Sequence, residues 1–535
     1  STITMKLLQL ASTVLAATMP VAQTFNNPVI YEDLADLEVI RVGDTYYYTA
    51  STMHYSPGAP VLKSYDLINW EFIGHSVPEL TFGEKYYLNS TERAYVGGIW
   101  ASSLQYRESN GLFYWYGCID FSKTYIFTAS DPAGEWQSHP PLDECFHDLG
   151  VLVDDDDTMY IAYGKYNISV AQMSADGLQP VRQQEVWTDA TRYLEGSRFY
   201  HINGNYYIWV TKPGDEQHVL KADNPWGPYT NNTILERMAS PIPDSGVPHQ
   251  GGIIDTPAGD WFYMGFIDAY PTGRIPVLAP LSWDEEGWPH IVTDEAGGWG
   301  KTYPLPVTTD KTVNPVGEVL DSFDESKLGP EWEWNHNPDN TAWELGTDGL
   351  TLHTATVTYD LYSARNTLTH RILGPKSSST FRLNLANMAD GDITGVSILR
   401  DESAYIGLQK EGDSLKLFAV HDILAPESTG WQTTSNGTIV ATAEIDLTTI
   451  ATGAGDIWLR AAADVTPSFW VAENTNAALF SYSTDGETFT QLGDSWHLHN
   501  RWQYFMAFRF AVQNFATKSL GGSVLVKEFS LKSVE

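Results

Sequence analysis

The chain has 535 residues, with 31 Lys and Arg against 67 Asp and Glu, and a formal net charge of −36. A surface this acidic lacks the basic patch that binds phosphate backbones and is repelled by anionic membranes, so we expect no nucleic-acid or membrane partner. The length exceeds what one hydrophobic core usually supports, which predicts at least two domains. Aromatic residues make up 13% of the chain and charged residues only 18%, which is typical of many β-rich proteins, including those that handle sugars.

The N-terminal residues carry the pattern of an export signal. Lys6 precedes an apolar stretch at 7–17, which is followed by small residues near Ala22. The stretch is shorter than the roughly 20 residues of a spanning helix, so we assign residues 1–23 to a signal peptide with a short leading remnant. We therefore expect a secreted, extracellular protein. Sequons that fit glycosylation of an exported chain begin at Asn89, Asn167, Asn231 and Asn436.

Only two cysteines occur, Cys118 and Cys145. In an oxidising compartment they form either one disulfide or two buried free thiols, and the sequence leaves both options open. A catalytic thiol is not expected.

A turn rich in Gly, Asn or Asp, followed at once by an aromatic strand, recurs five times. Each copy predicts a β-hairpin, because such turns tolerate positive φ and their flanks are apolar or alternating. Second turns follow most copies and would supply the outer strands of four-stranded propeller blades. The copies lie at 43–48, 110–115, 156–161, 203–208 and 259–264. The fold class is therefore all-β, with a five-bladed β-propeller over residues 24–303.

After Trp299 the repeat stops, and prolines punctuate a polar connector at 304–320. From 321 to 535, short strands and a hairpin turn at 484–486 predict a β-sandwich. This domain could bind polysaccharide, or it could pack against the propeller and lend a loop to the rim of the site. Its strands are expected at 350–354, 379–385, 395–399, 405–409, 457–460, 469–472 and 524–531.

The innermost strand of each blade precedes the first hairpin turn. Counting back about eight or nine residues from each turn gives an acid in three blades, Asp36, Asp148 and Glu195, and Ser102 and Gly251 in the other two. Because the blades are related by rotation, we expect the three acids to face one central hollow. Carboxylates this close repel one another, which raises the pKa of at least one of them. A protonated acid beside an ionised one is the minimum for acid/base catalysis.

The acidic run at 154–157 is interpreted differently. It overlaps the third hairpin turn and lacks the Gly and Glu spacing of an EF-hand. We expect it to be a solvated turn and not a calcium loop.

These motifs together resemble glycoside hydrolase family 43. Six segments of the propeller carry the resemblance. The first runs from Asn27–Ile30 to Asp36, and the others are Trp100-Ala101, His147-Asp148, Glu195–Ser197, His249–Gly252 and Gly273-Arg274. Residues 328–340 are similar to the concanavalin-like sandwich appended to the family's xylosidases and arabinofuranosidases. The chain departs from many members at Leu37 and Leu149, which stand where those members have Pro after the Asp.

The resemblance implies a role for each residue. Asp36 would be the general base and Glu195 the general acid, while Asp148 would orient Glu195 and favour its protonated form by like-charge repulsion. Substrate contacts are expected from Arg274, which alternatively forms a blade-closing ion pair, and from His249, which alternatively holds a water or metal ion. Trp100 and Tyr166 are the candidate stacking platforms for sugar rings.

The implied reaction is single-displacement hydrolysis with inversion, for which we expect the carboxyl groups of base and acid to lie about 6.5–9.5 Å apart. No cofactor is required, although a structural Ca²⁺ ion remains an option, and we expect a monomer. The sequence of residues 31–36 resembles the corresponding segment of fungal xylan α-L-arabinofuranosidases, including those acting on doubly substituted xylose. The substrate would then be arabinoxylan or a xylo-oligosaccharide.

The sequence leaves three alternative functions. A β-xylosidase of the same family would share the base, the acid and the tuning residue. The fructan-hydrolysing five-bladed group is disfavoured, because its first-blade Asn-Asp-Pro-Asn is missing and the candidate acid Glu195 is followed by Gly196 and not by the Cys of its Glu-Cys acid motif. A non-catalytic lectin-like propeller would not need acids at three equivalent inner positions.

Overall fold

The computed structural model describes residues 23–189, 191–444 and 455–534, and its regular structure is nearly all β-strand. The predicted signal peptide, apart from Gln23, lies outside the described residues. Within the described ranges, no helix has the length and apolar character needed to cross a bilayer. Three short 3₁₀ turns occur there, at Glu84–Tyr86, Leu361–Ser363 and Glu427–Thr429.

The N-terminal part of the described chain forms the predicted propeller, in which five antiparallel sheets each contain four strands. The first six strands in chain order are β1 (Thr24–Asn26), β2 (Glu38–Val42), β3 (Thr45–Thr49), β4 (Tyr55–Ser56), β5 (Gly58–Ser64) and β6 (Glu71–Val77). Of these, β2, β3, β5 and β6 form blade 1. Blade 2 consists of β7 (Ile99–Arg107), β8 (Leu112–Ile119), β9 (Lys123–Ala129) and β10 (Gln137–Ser138). Blade 3 consists of β11 (Gly150–Val153), β12 (Met159–Lys165), β13 (Asn167–Met173) and β14 (Pro180–Thr188).

Blade 4 consists of β15 (Glu195–Ile202), β16 (Asn205–Lys212), β17 (Glu216–Ala222) and β18 (Thr230–Glu236). Blade 5 consists of β19 (His249–Asp255), β20 (Trp261–Asp268), β21 (Arg274–Trp283) and β22 (Pro289–Ile291). Each predicted hairpin turn joins the first two strands of its blade, so the repeat was interpreted correctly. The ends of the propeller meet where β1 pairs with β23 (Thr302–Pro304).

Four tryptophans of the propeller are buried between its sheets. Trp70, Trp115, Trp209 and Trp299 are at most 1% exposed. Large rings of this kind fill the wedge-shaped space between neighbouring blades, and their burial is a major favourable contribution to folding. The aromatic composition is thus mostly a property of the propeller core.

The C-terminal part of the described chain is a sandwich of a nine-stranded and an eight-stranded sheet. Its first eight strands are β24 (Val319–Asp321), β25 (Glu333–Asn335), β26 (Trp343–Gly346), β27 (Gly349–His353), β28 (Leu368–Arg371), β29 (Lys376–Asn384), β30 (Asp392–Leu399) and β31 (Glu402–Glu411). The remaining strands are β32 (Ser414–Leu424), β33 (Ser435–Ala443), β34 (Ile457–Asp464), β35 (Ala477–Ser483), β36 (Thr490–Gln491), β37 (Trp496–His497), β38 (Arg509–Ala516) and β39 (Ser523–Ser533).

The strand predicted at 469–472 was wrong. Phe469 and Trp470 lie in a turn between β34 and β35, where they contact the propeller and not a neighbouring strand. A short apolar run predicts burial, but burial against another domain does not require strand pairing.

The two domains share a sheet as well as a surface. Strand β4 of the propeller pairs with β25 at the edge of the eight-stranded sheet, with Ser56 opposite Trp334. Next to this pair, Glu333 accepts bonds from Arg371 and Arg509 of the sandwich and lies 3.1 Å from His75 of blade 1. The sandwich therefore packs on the propeller through a buried ionic cluster and a continuous strand pairing.

Candidate active site

One face of the propeller carries a cavity of 630 Å³ that both domains line. Its size falls within the roughly 300–1,000 Å³ that is usual for small-molecule sites. The starts of the inner strands bring Asp36, Asp148 and Glu195 together in it, as the repeat predicted. Trp100, His249 and Arg274 also line this cavity.

Local backbone geometry aims the acids into the cavity. Asp36 and Asp148 lie two residues before the inner strands of their blades, with φ of 55° and 48°, in the left-handed region that residues other than glycine rarely adopt. In blades 2, 4 and 5 the inner strand instead begins with a register shift, and in blade 4 this shift lies between Glu195 and Arg198. Such bulges redirect a side chain away from its regular alternation. The sequence spacing placed these residues, but the backbone conformation orients them.

Asp36 is buried and paired with Arg274. The Arg274 Nη1 donates to Asp36 Oδ1 at 2.8 Å, and the two residues are 6% and 5% exposed. Burial lowers the pKa of Arg274, but the neighbouring charges of Asp36, Tyr270, Asp33 and Asp268 outweigh it and hold the pKa above its usual value. Arg274 is therefore permanently charged and forms an ion pair with Asp36, which is the alternative role expected for it. The Arg274 side chain nevertheless lines the cavity.

Glu195 and Asp148 form a second acidic pair around His147. The imidazole Nε2 of His147 lies 3.0 Å from Glu195 Oε2 and 3.7 Å from Asp148 Oδ1, and one polar atom from each of the three lies within 4.8 Å of the others. Burial lowers the pKa of His147, but the charges of Asp148 and Glu195 and the bond to Glu195 outweigh it, so the pKa lies above its usual value.

The pKa of Asp148 is raised to about 7. Burial is the main cause, and the like charges of Glu195 and Asp36 add to it, while His147 and Arg198 act in the opposite direction. The expectation that repulsion raises a pKa within the trio is met at Asp148, where repulsion adds to the larger effect of burial. Tyr193, which lines the same wall, is hydrogen-bonded to Glu195, and burial together with this carboxylate raises the pKa of the phenol.

The sandwich supplies the opposite wall of the cavity. Its lining residues there are Glu427, Trp431, Phe469, Trp470, Trp502, Gln503 and Phe505. The ring of Phe505 meets Trp100 edge to face at 4.9 Å, and Trp470 Nε1 donates to the backbone oxygen of Ser245 at 2.8 Å. The sequence left open whether the sandwich lends a loop to the rim of the site, and the structure shows that it does.

Asp33 fixes this wall to the floor of the cavity. Its carboxylate accepts from the backbone N–H of Arg274 and from that of Ala507, both at 2.8 Å. The Nε of Arg274 also donates to the backbone oxygen of Phe505 at 3.1 Å. The two domains therefore share hydrogen bonds at the residue that holds Asp36.

Tyr166, a predicted stacking platform, does not line the cavity. It is 50% exposed and packs edge to face on Tyr193 with ring centroids 4.6 Å apart. Tyr193 takes the place in the wall that we had assigned to Tyr166. His249 does line the cavity, with Nδ1 2.7 Å from the backbone oxygen of Val247 and its ring tilted against Phe266.

Several lining residues were missed from the sequence. The position of His147 beside Asp148 in the motif was a usable signal, because an imidazole next to a catalytic carboxylate is a common partner for it. No comparable signal marks Trp470, Trp502 or Phe505, which are separated from the acids by more than two hundred residues of chain.

Among the described residues, two groups of three side chains could hold a metal ion, and neither includes His249. One is the His147, Asp148 and Glu195 cluster, and the other is Asp154, Asp155 and His201.

The interpretation of 154–157 as a solvated turn was wrong for Asp154, whose carboxylate is 7% exposed and bonded to His201 and Tyr206, each at 2.6 Å. Turn position alone did not reveal these partners on blade 4.

Cys118 and Cys145 form a disulfide, which resolves the two options left by the sequence. The bond joins β8 to the segment that leads directly into His147 and Asp148. The disulfide therefore restrains the loop that carries Asp148, the partner of Glu195 in the acidic pair.

Comparisons with known proteins agree with this geometry. Residues 25–289 match the model of glycosyl hydrolases family 43, and residues 320–510 match the β-xylosidase C-terminal concanavalin A-like domain. A putative β-xylosidase from Xylanibacter ruminicola is 34% identical over 378 residues, which is 68% of each chain. A non-reducing-end α-L-arabinofuranosidase from Bacteroides ovatus is 28% identical over 345 residues, covering 60% of this chain and 63% of that protein.

The chain is also similar to a solved structure at 48% sequence identity and a TM-score of 0.92, over 96% of this chain and 100% of the other. That structure is described as a family 43 glycoside hydrolase whose engineered active site gives both endo-xylanase and exo-arabinofuranosidase activity. The similarity extends over both domains, including the wall that the sandwich contributes. With its propeller, its appended sandwich and its matched relatives, the chain belongs to glycosyl hydrolases family 43.

Proposed function

We propose that this glycoside hydrolase removes α-L-arabinofuranosyl side chains from arabinoxylan by an inverting mechanism, including from doubly substituted xylose. The observation that carries the proposal is the arrangement of three acids in one cavity, with Asp36 bonded to Arg274 and Asp148 beside Glu195. Asp36 is thus a carboxylate paired with a permanent positive charge, whereas the pKa of Asp148 in the second acidic pair is raised to about 7. Acid/base catalysis requires carboxyl groups in unlike environments of this kind.

In this mechanism Asp36 removes a proton from a water molecule as it attacks the anomeric carbon. Glu195 gives its proton to the leaving glycosidic oxygen, and the adjacent Asp148 and His147 hold the Glu195 carboxyl group in position. Arg274 keeps the Asp36 carboxylate oriented through its 2.8 Å bond. Direct displacement by water inverts the anomeric configuration.

The mouth of the cavity supports a polymeric substrate. Phe121 of the propeller is 58% exposed, and Trp470 and Trp502 of the sandwich are 65% and 45% exposed, although all three line the same cavity. Aromatic rings at a mouth provide flat apolar faces for sugar rings outside the cleaved residue. A side-chain-cleaving enzyme needs such a surface, because the xylan main chain stays outside the pocket.

A β-xylosidase of the same family is the second candidate, because the Xylanibacter ruminicola relative is named as a putative one. Hydrolysis of aryl α-L-arabinofuranoside and aryl β-D-xyloside, measured side by side, decides between the two. We expect a higher kcat/KM on the arabinofuranoside and release of arabinose from arabinoxylan. A preference for the xyloside would replace the first proposal by the second.

NMR of the first-formed sugar should show the inverted anomer, and a retained anomer would contradict Asp36 as base.

Removing the mouth aromatics should affect the polymer selectively. For Trp470→Ala or Trp502→Ala we expect KM on arabinoxylan to rise by roughly three- to tenfold, corresponding to ~0.5–1.5 kcal/mol of lost ring stacking. On an aryl arabinofuranoside, which does not reach across the mouth, KM should stay unchanged. Tyr359→Ala provides the matched control, since Tyr359 is an equally exposed aromatic of the sandwich outside the cavity. Equal losses on both substrates would show that the rings only shape the pocket.

A further inference from the structure

Arg198 lies fully buried on the propeller axis, beneath the catalytic cavity. Among the described residues its guanidinium donates six hydrogen bonds, and all six go to backbone carbonyl oxygens. The acceptors are Asp36 at 3.1 Å, Leu37 at 2.9 and 3.3 Å, Ser102 at 3.2 Å, Leu149 at 3.0 Å and Ser197 at 2.8 Å.

These carbonyls belong to four different blades and to the segments that carry the acids. One is the carbonyl of Asp36 itself, one follows Asp148 directly in the chain, and one lies two residues after Glu195. The fifth blade approaches the same side chain, because a Cβ at Gly252 would lie 3.7 Å from Arg198 Cγ. A single side chain therefore bonds the inner segments of four blades and lies beside the inner strand of the fifth.

We propose that Arg198 is a positioning residue for catalysis, which holds the backbone at Asp36, Asp148 and Glu195 at the spacing that the acid/base reaction needs. The inference rests on the proposed roles of these three acids. Only a planar guanidinium with five N–H groups can satisfy carbonyls that converge from several directions, so lysine would replace it incompletely. The sequence shows Arg198 merely as a residue within a strand, and the convergence of the blades gives it this role.

The charge of Arg198 reaches the same site. Its Nε lies 4.0 Å from the buried Glu38 of blade 1, and its positive charge lowers the pKa of Asp148 against the effect of burial. Tyr200 is the other titratable group that Arg198 influences electrostatically. The pKa of Glu38 is raised to about 7 by burial, so this carboxyl group does not fully neutralise Arg198 below that pH. Loss of the guanidinium should therefore make protonation of the cavity carboxyls easier.

The test compares Arg198→Met and Arg198→Lys with the wild-type protein on an aryl arabinofuranoside over a range of pH. For Arg198→Met we expect kcat to fall by about 100-fold, as misplacement of reacting groups by about 1 Å does, with KM changed by less than about threefold. Both limbs of its pH profile should move to higher pH, because a positive charge has been removed. For Arg198→Lys we expect a fall of about tenfold with both limbs in place, because the charge remains.

Arg107→Met is the matched control. Arg107 is also a buried propeller arginine, and it bonds Asp157 and the backbone oxygen of Ala175 outside the cavity. We expect it to lower Tm and to leave kcat and the pH profile of the folded enzyme unchanged. A wild-type kcat in Arg198→Met, or Arg198 variants that behave like Arg107→Met, would overturn the inference.

Two further outcomes are decisive. If Arg198→Met does not fold, Arg198→Lys carries the test, since a wild-type kcat in the folded lysine variant contradicts the positioning role and a tenfold loss supports it. Glu195→Gln is assayed in parallel on arabinoxylan, whose leaving sugar hydroxyl must be protonated. If it stays fully active, the assignment of the acids fails, whereas an inactive Glu195→Gln with unaffected Arg198 variants refutes only the role of Arg198.

Discussion

Replacing Asp36 with Asn is expected to lower kcat by about 10²- to 10⁴-fold on every substrate, because the attacking water then loses its general base. Glu195→Gln should cause a loss of similar size on arabinoxylan, whose leaving sugar hydroxyl must be protonated. With a nitrophenyl leaving group, which departs without protonation, Glu195→Gln should recover most of its kcat and Asp36→Asn should not. The measurement is kcat for both variants on a series of aryl arabinofuranosides of decreasing leaving-group acidity.

Asp148→Asn provides the matched control, since it removes a cavity carboxyl group assigned no direct proton transfer. We expect an intermediate loss, together with a pH profile that no longer reports the group with a pKa of about 7. A steep leaving-group dependence in Asp36→Asn and a flat one in Glu195→Gln would reverse the two roles. Full activity of either variant would contradict the proposed mechanism.

Glu333→Gln is expected to lower the free energy of unfolding by about 3–5 kcal/mol, the usual cost of leaving buried charges without their partner. Glu333 is 0% exposed and bonds Arg371 at 2.8 Å and Arg509 at 2.6 Å. Burial raises its pKa, but Arg371, Arg509 and His75 outweigh burial and hold the pKa well below its usual range. Glutamine keeps the size of the side chain but removes the carboxylate that both buried guanidinium groups bond.

Urea unfolding at neutral pH checks this prediction, with Glu344→Gln as the control. Glu344 belongs to the same domain, but its side chain is 71% exposed, so its removal should leave the midpoint unchanged. Because Glu333 has a lowered pKa, the stability it contributes is present above its unfolded pKa and is lost as the pH falls. The difference between variant and wild type should therefore shrink in strong acid. Equal midpoints at neutral pH would show that the cluster does not stabilise the domain contact.

The ionic cluster also connects stability with the active site. Arg371 donates to the backbone oxygen of Asp33 at 3.1 Å, and the Asp33 carboxylate bonds the backbone N–H groups of Arg274 and Ala507. Packing of the sandwich is thus linked by consecutive contacts to the arginine that faces Asp36. This arrangement explains why the second domain is part of the catalytic unit and not merely an appendage.

The sequence by itself determined the blade repeat and the positions of the three acids. Both depend on short-range patterns, since a Gly- or Asp-rich turn before an aromatic strand specifies a hairpin locally. Rotational symmetry then places equivalent offsets, such as those of Asp36 and Glu195, around one axis. The raised pKa expected within the trio follows only in part from the same reasoning, because repulsion contributes at Asp148 but the larger cause is burial, which the tertiary structure creates.

Only the tertiary structure decided the remainder of the site. Asp36 and Asp148 both have a left-handed φ, which an aspartate does not require. Hydrogen bonds from Arg198, together with the packing of neighbouring blades, hold the backbone at these two positions. Tyr166 and Tyr193 illustrate the same limit, since two nearby tyrosines differ in whether they face the cavity. Trp470, Trp502 and Phe505 reach the acids only because the domains pack together, and contacts between surfaces so far apart in the chain leave no periodic pattern in the sequence.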